Sequence, residues 1–109
     1  MIKFQISKFL NNAQYALELE EFEPVGGLDV FLKTVCEYLG EELLQWHRNW
    51  EFGVGYMTYK GYKLGLCQSE FPHHFSFDCR DEHMANDLKS KLEAFFSTTG
   101  LHYSHNMQP

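Results

Sequence analysis

The chain of 109 residues reads as one α+β domain: a single antiparallel sheet of five to six strands with two helices packed on one face. Three observations predict this. Several short stretches alternate apolar and polar residues with period two, as half-buried strands do. Two longer stretches repeat apolar residues at spacings of three and four, as amphipathic helices do. A Lys60-Gly61 pair joins two alternating runs directly, which is a hairpin signal because glycine accepts the positive φ such a turn needs. The order is β-β-α-β-β-β-β-α across residues 1–109, with 101–109 expected to be a flexible tail.

Ile2, Phe4 and Ile6 alternate with Lys3, Gln5 and Ser7, giving a first strand. Asn11-Asn12 marks a turn. Tyr15, Leu17 and Leu19 then alternate with Ala16, Glu18 and Glu20, an antiparallel partner for the first strand. Pro24 and Gly26-Gly27 end it. From Leu28 the period changes: Leu28, Phe31, Leu32, Val35, Cys36 and Leu39 form one apolar helix face. Gly40 stands where a left-handed cap is wanted. Residues Glu41 to Glu51 fit a strand or a helical extension, and the alternation of Leu44 with Trp46 favours a strand ending near His47, then a loop through Arg48-Asn49.

The hairpin follows. Gly53 to Tyr59 and Tyr62 to Gln68 flank the Lys60-Gly61 turn, in a register that opposes Tyr59 to Tyr62, Met57 to Leu64 and Gly55 to Leu66. Glycines at strand positions such as Gly53 and Gly55 signal a bulge or a close backbone approach. Pro72 breaks the chain, and Phe75, Phe77 and Cys79 alternate as a last strand. Asp78 or Asp81 caps a second helix whose stripe is Met84, Leu88, Leu92, Phe95 and Phe96, and Gly100 ends it.

Composition limits the function. The net charge of −6 disfavours nucleic acid and anionic membrane surfaces and admits a basic protein partner. The N-terminus lacks the basic start and continuous apolar stretch of an export signal, so a cytoplasmic protein is expected. The three cysteines are odd in number and irregularly spaced, which suits a reducing compartment.

The strongest metal candidate is the set Cys67, His73, His74, Cys79 and His83. It lacks two cysteines at the short spacing of a zinc knuckle, so core cysteines beside surface histidines are expected, with no metal and no cofactor. Cys79 stands just before the second helix, where a thiol nucleophile is conceivable, but no oxyanion loop accompanies it. The glycines match neither a dinucleotide fingerprint nor a phosphate loop. No enzymatic activity is expected.

Charge is unevenly placed. Residues 18 to 42 hold eight carboxylates against Lys33 alone, a local charge of −7 in a chain of −6. Glu18, Glu20, Glu21, Glu23, Glu41 and Glu42 read as a docking face for a basic partner, with Trp46 and Trp50 as its desolvated anchors and Phe52 beside them. In size, acidity and helix-on-sheet outline the chain resembles the small acidic immunity proteins that bacteria encode beside secreted toxins. The resemblance implies a stoichiometric inhibitor that covers the active site of a basic, nuclease-type toxin. Two alternatives are a homodimeric adaptor pairing through an aromatic sheet face and a small protein binding metal through the Cys/His set.

Overall fold

Alternation along each strand sorts side chains onto two sides of a sheet, and the helices decide which side is buried. The computed structural model describes residues 3–8, 14–20, 26–49, 52–69 and 74–99. Their elements are β1 (Lys3–Lys8), β2 (Tyr15–Glu20), α1 (Gly27–Leu39), β3 (Leu43–Arg48), β4 (Phe52–Tyr59), β5 (Tyr62–Ser69), β6 (His74–Cys79) and α2 (Glu82–Thr99), the expected order. The expected turn at Asn11-Asn12, the breaks at Pro24 and Pro72, the stop at Gly100 and the tail 101–109 lie outside the described residues.

All six strands join one antiparallel sheet in the order β1-β2-β6-β5-β4-β3. Between β2 and β3 lies α1, whose chain crosses from the β1–β2 pair to the far edge. The meander β3 to β6 then walks back until β6 pairs with β2. The hairpin register is the expected one, with Met57 opposite Leu64 and Gly55 opposite Leu66.

One side of this sheet carries Leu17, Leu19, Met57, Tyr59, Leu64, Leu66, Phe75, Phe77 and Cys79, all buried. They pack with Phe31, Leu32 and Val35 of α1 and Leu88, Leu92 and Phe95 of α2 in one core. Phe31 is central: its ring meets Phe75 and Phe95 edge-on at 6.3 Å each and stacks on Phe96 at 6.0 Å. Burying each such side chain contributes about 1.5–3 kcal/mol. Gly40, at φ 72°, ends α1, and the Glu41 amide donates to the Cys36 carbonyl at 2.8 Å. At the start of α2 it is Asp81 that caps: its Oδ1 accepts from the Met84 amide at 2.9 Å. Asp78 stays within β6.

The segment that read two ways in sequence is strand β3, running to Arg48 with a register shift between Leu43 and Gln45. That irregularity breaks the expected Leu44/Trp46 alternation. Leu44 is exposed, whereas Trp46 lies opposite Gly55 and packs against the core. Glycine is required on β4 for this. A Cβ at Gly53 would meet the Trp46 ring at 2.6 Å, and one at Gly55 would fall on the Gln45 carbonyl oxygen.

Gln68 is the buried polar side chain of the described residues, and its Oε1 has no hydrogen-bond partner there. A buried unpaired acceptor costs about 1–3 kcal/mol. Replacing it by a flexible apolar side chain of similar length, Gln68→Met, is therefore expected to raise stability by about 1 kcal/mol. A lowered urea midpoint would contradict the reading. Gly55→Ala should lower stability by about 1–3 kcal/mol, because backbone must move to admit the methyl group; an unchanged midpoint would show that β3 and β4 do not approach this closely.

Candidate functional site

With both helices on one side, the other side of the sheet has no described helix over it; β4 is open to solvent there, whereas Ala16 of β2 is buried and Glu18 and Asp78 are half-buried. The pairing registers align it in rows. One row runs Gln5, Glu18, Ser76, Cys67, Val54, His47 from β1 to β3, and the next runs Ser7, Ala16, Asp78, Gly65, Tyr56, Gln45. The rows divide this face by chemistry. On β4, Phe52 is 50%, Val54 48% and Tyr56 39% exposed. On β2 and β6 stand Glu18, Glu20 and Asp78.

Asp78 is half-buried, and burial pushes its carboxyl above the ordinary value. The Ser76 hydroxyl, donating at 3.1 Å, opposes that shift, and the charge of Glu18 adds to it. Among the described residues no lysine or arginine pairs with Asp78 or Glu18; Glu18 Oε1 lies 3.4 Å from His74 Nε2. Opposite Asp78, Gly65 has no side chain, and a Cβ there would sit 3.2 Å from that of Asp78. The floor is therefore low beside the carboxyl. On the far side the Lys63 ammonium lies 4.6 Å from the centre of the Tyr56 ring.

The expected partner-binding residues are dispersed. Glu18 and Glu20 lie on the uncovered face. Glu41 lies near the β4–β5 turn, at the opposite end of the sheet from Glu20, and is committed to the fold. It accepts from the Thr58 hydroxyl at 2.6 Å and from the Lys60 amide at 2.9 Å. Glu42 is exposed beside it, and its carbonyl accepts from the Thr58 amide. Trp46 turns to the helices: its indole donates to Asp29 of α1 at 2.7 Å and its ring meets Phe75 at 6.1 Å. It ties the β3 edge to α1 instead of standing out as an anchor. Glu21, Glu23 and Trp50 lie outside the described residues. Sequence reading missed Val54, Tyr56 and Asp78. A signal existed: Phe52, Val54 and Tyr56 alternate with Gly53 and Gly55, so the larger side chains of this half of β4 all lie on one side.

The Cys/His set does not assemble. Cys79 is fully buried under the helices, whereas Cys67 faces outward opposite Ser76 and is exposed, which corrects its expected place in the core. Two thiols on opposite sides of a sheet cannot share an ion. His74 stands on the uncovered face, His83 is exposed on the first turn of α2, and His73 lies outside the described residues. No group of three His, Cys, Asp or Glu among the described residues is placed to hold a metal. Burial, then the charges of Asp78 and Asp81, pushes the Cys79 thiol up to about 12. Burial, then Glu41, pushes Cys36 up to about 11. Neither supplies a thiolate near neutrality.

A concavity of about 120 Å³ lies where α2 begins. Its groups satisfy one another. Asp87 accepts from the Tyr59 hydroxyl at 2.6 Å and pairs with Lys60 at 2.9 Å, and the Arg80 guanidinium lies 4.0 Å from the Tyr62 ring centre. Burial and then Asp87 hold the Tyr59 phenol far above its ordinary value. This corner binds the hairpin to α2. No described helix is long and apolar enough to cross a membrane. Compared with known proteins, the chain matches no family model, no curated protein and no solved structure.

The thiols set an alkaline limit on stability. Between their ordinary value of 9.0 and the raised ones, folded Cys36 and Cys79 keep protons that the unfolded chain has released. Unfolding then gains with rising pH, by about 1.4 kcal/mol per pH unit for each group. The urea midpoint should hold level up to about pH 9 and fall above it, and the fall should be shallower in Cys79→Ala. A thiol reagent at pH 8 should modify Cys67 alone until the protein is unfolded. Equal reactivity of all the cysteines in the native protein would show that Cys36 and Cys79 are not shielded.

Proposed function

We propose that this chain is a protein-binding inhibitor of the immunity type. It binds one basic protein partner, a nuclease-type toxin domain, over the uncovered face of its sheet, in the cytoplasm, and performs no chemistry itself. The observation that carries this reading is the coexistence on that face of exposed Phe52, Val54 and Tyr56 with Glu18, Glu20 and Asp78. Apolar side chains there gain from leaving water. Carboxylates beside them reject acidic partners and draw basic ones, and a net charge of −6 speeds their approach.

The same pattern argues against a second copy of the chain as the occupant. In aligned sheet-on-sheet packing, a two-fold axis along β5 sets the Asp78 strand over the partner's apolar β4. An axis across the strands sets carboxylates over carboxylates. Either arrangement desolvates charge without compensation. A basic partner neutralises the acids and covers the apolar strand at once.

Tagged protein recovered from its native cells should bring down one basic protein at equal stoichiometry. That protein should be released by high salt, and its toxic activity should be suppressed by adding the chain back. Val54→Asp should weaken binding by about 2 kcal/mol, the scale of an anchor at an interface centre. Glu20→Lys should slow association and flatten its dependence on salt. An acidic partner, or a basic one bound equally by both variants, would overturn this reading.

A further inference from the structure

Resting on that reading, we infer that the partner engages this face at two points about 10 Å apart: a cationic side chain over Glu18 and Asp78, and an apolar side chain against Val54 and Tyr56. The spacing follows from the sheet. Asp78 lies on β6 and Tyr56 on β4, with Gly65 of β5 between them in one row. Two steps between neighbouring strands of 4.7–4.9 Å each make up the distance.

Each point has its own chemistry. On β6, Asp78 is half-buried next to a second carboxylate, with no described lysine or arginine to balance the pair. An incoming guanidinium or ammonium restores what burial has taken from it, through a charge-assisted hydrogen bond. On β4, Val54 is 48% and Tyr56 39% exposed, with no described helix over them and the Lys63 ammonium on the Tyr56 ring. Between the two points Gly65 raises no side chain, so an element laid across the strands can settle close to the backbone. Neither point suffices alone: the acids would accept any polycation, and the apolar strand any greasy surface. Discrimination comes from requiring both at a fixed distance.

A rigid helical peptide serves as a ruler, because residues seven apart share a face and stand about 10.5 Å from each other. Three alanine-rich helical peptides are needed: one with Arg and Trp seven apart, one with the pair four apart, and one with Glu replacing Arg at the seven-residue spacing. Each is titrated into isotopically labelled protein, and amide shifts and Kd are read by NMR. The first peptide should move the amides of Glu18, Asp78, Gly65, Val54 and Tyr56 and bind about fivefold more tightly than the other two. Asp78→Asn and Glu18→Gln, checked for folding by circular dichroism, should each remove most of that advantage, while binding the Glu peptide somewhat more tightly as repulsion is relieved. Equal binding of all three peptides at these amides would overturn the two-point inference and leave the face as a binding surface. Shifts elsewhere, or none at millimolar peptide, would overturn both.

Discussion

Leu17, Leu19, Leu64, Leu66, Phe75 and Phe77 all point to one side of the sheet, and the burial of that side under two helices is the constraint on which everything else depends. Period two forces the arrangement: once one residue of a strand faces the helices, its neighbours face away. Phe31 of α1 joins the layers, with its ring against Phe75 of the sheet and Phe95 and Phe96 of α2. The two described helices cover one side of a six-stranded sheet, so among the described residues the opposite side, with β4 exposed on it, remains as a surface on which function can be built.

The edge at β3 shows how the covered side was completed. Trp46 reaches in to Asp29 and Phe75, and it does so only because β4 offers glycine at two alternate positions beneath it. The consequence for the other side is direct. With Gly53 and Gly55 on the covered side of β4, the larger neighbours Phe52, Val54 and Tyr56 are turned outward. Packing at the edge and exposure of the apolar strand are thus one structural event seen from two sides.

That surface is held by paired strands on a packed core, which suits the proposed inhibitor acting by occupancy. A preformed surface loses little conformational freedom on binding, so more of the contact energy appears as affinity. Its charge is local as well as global: Asp78 and Glu18 share a face with apolar β4, two and three strands away, where a bound partner would exclude water and strengthen every charge interaction.

Periodicity, caps and turn chemistry are local properties, and the sequence by itself determined them. The two helices, the β4–β5 register, the cap at Gly40 and the inward alternation of Phe75, Phe77 and Cys79 were all legible because each depends on residues close along the chain. Glu18 and Glu20 could be assigned to the side of β2 opposite Leu17 and Leu19 for the same reason. Tertiary structure alone decided that β6 returns to lie beside β2, which sets Asp78 next to Glu18. It decided that Trp46 faces the helices, through an irregular register at the edge, and that Cys67 faces outward while Cys79 is buried. It also separated Glu41 from Glu18 and Glu20, although all belong to one acidic stretch of sequence. The physical reason is common to these cases: which side of a sheet a residue shares, and with whom, is fixed by pairing between strands distant in the chain, and no local pattern carries that pairing.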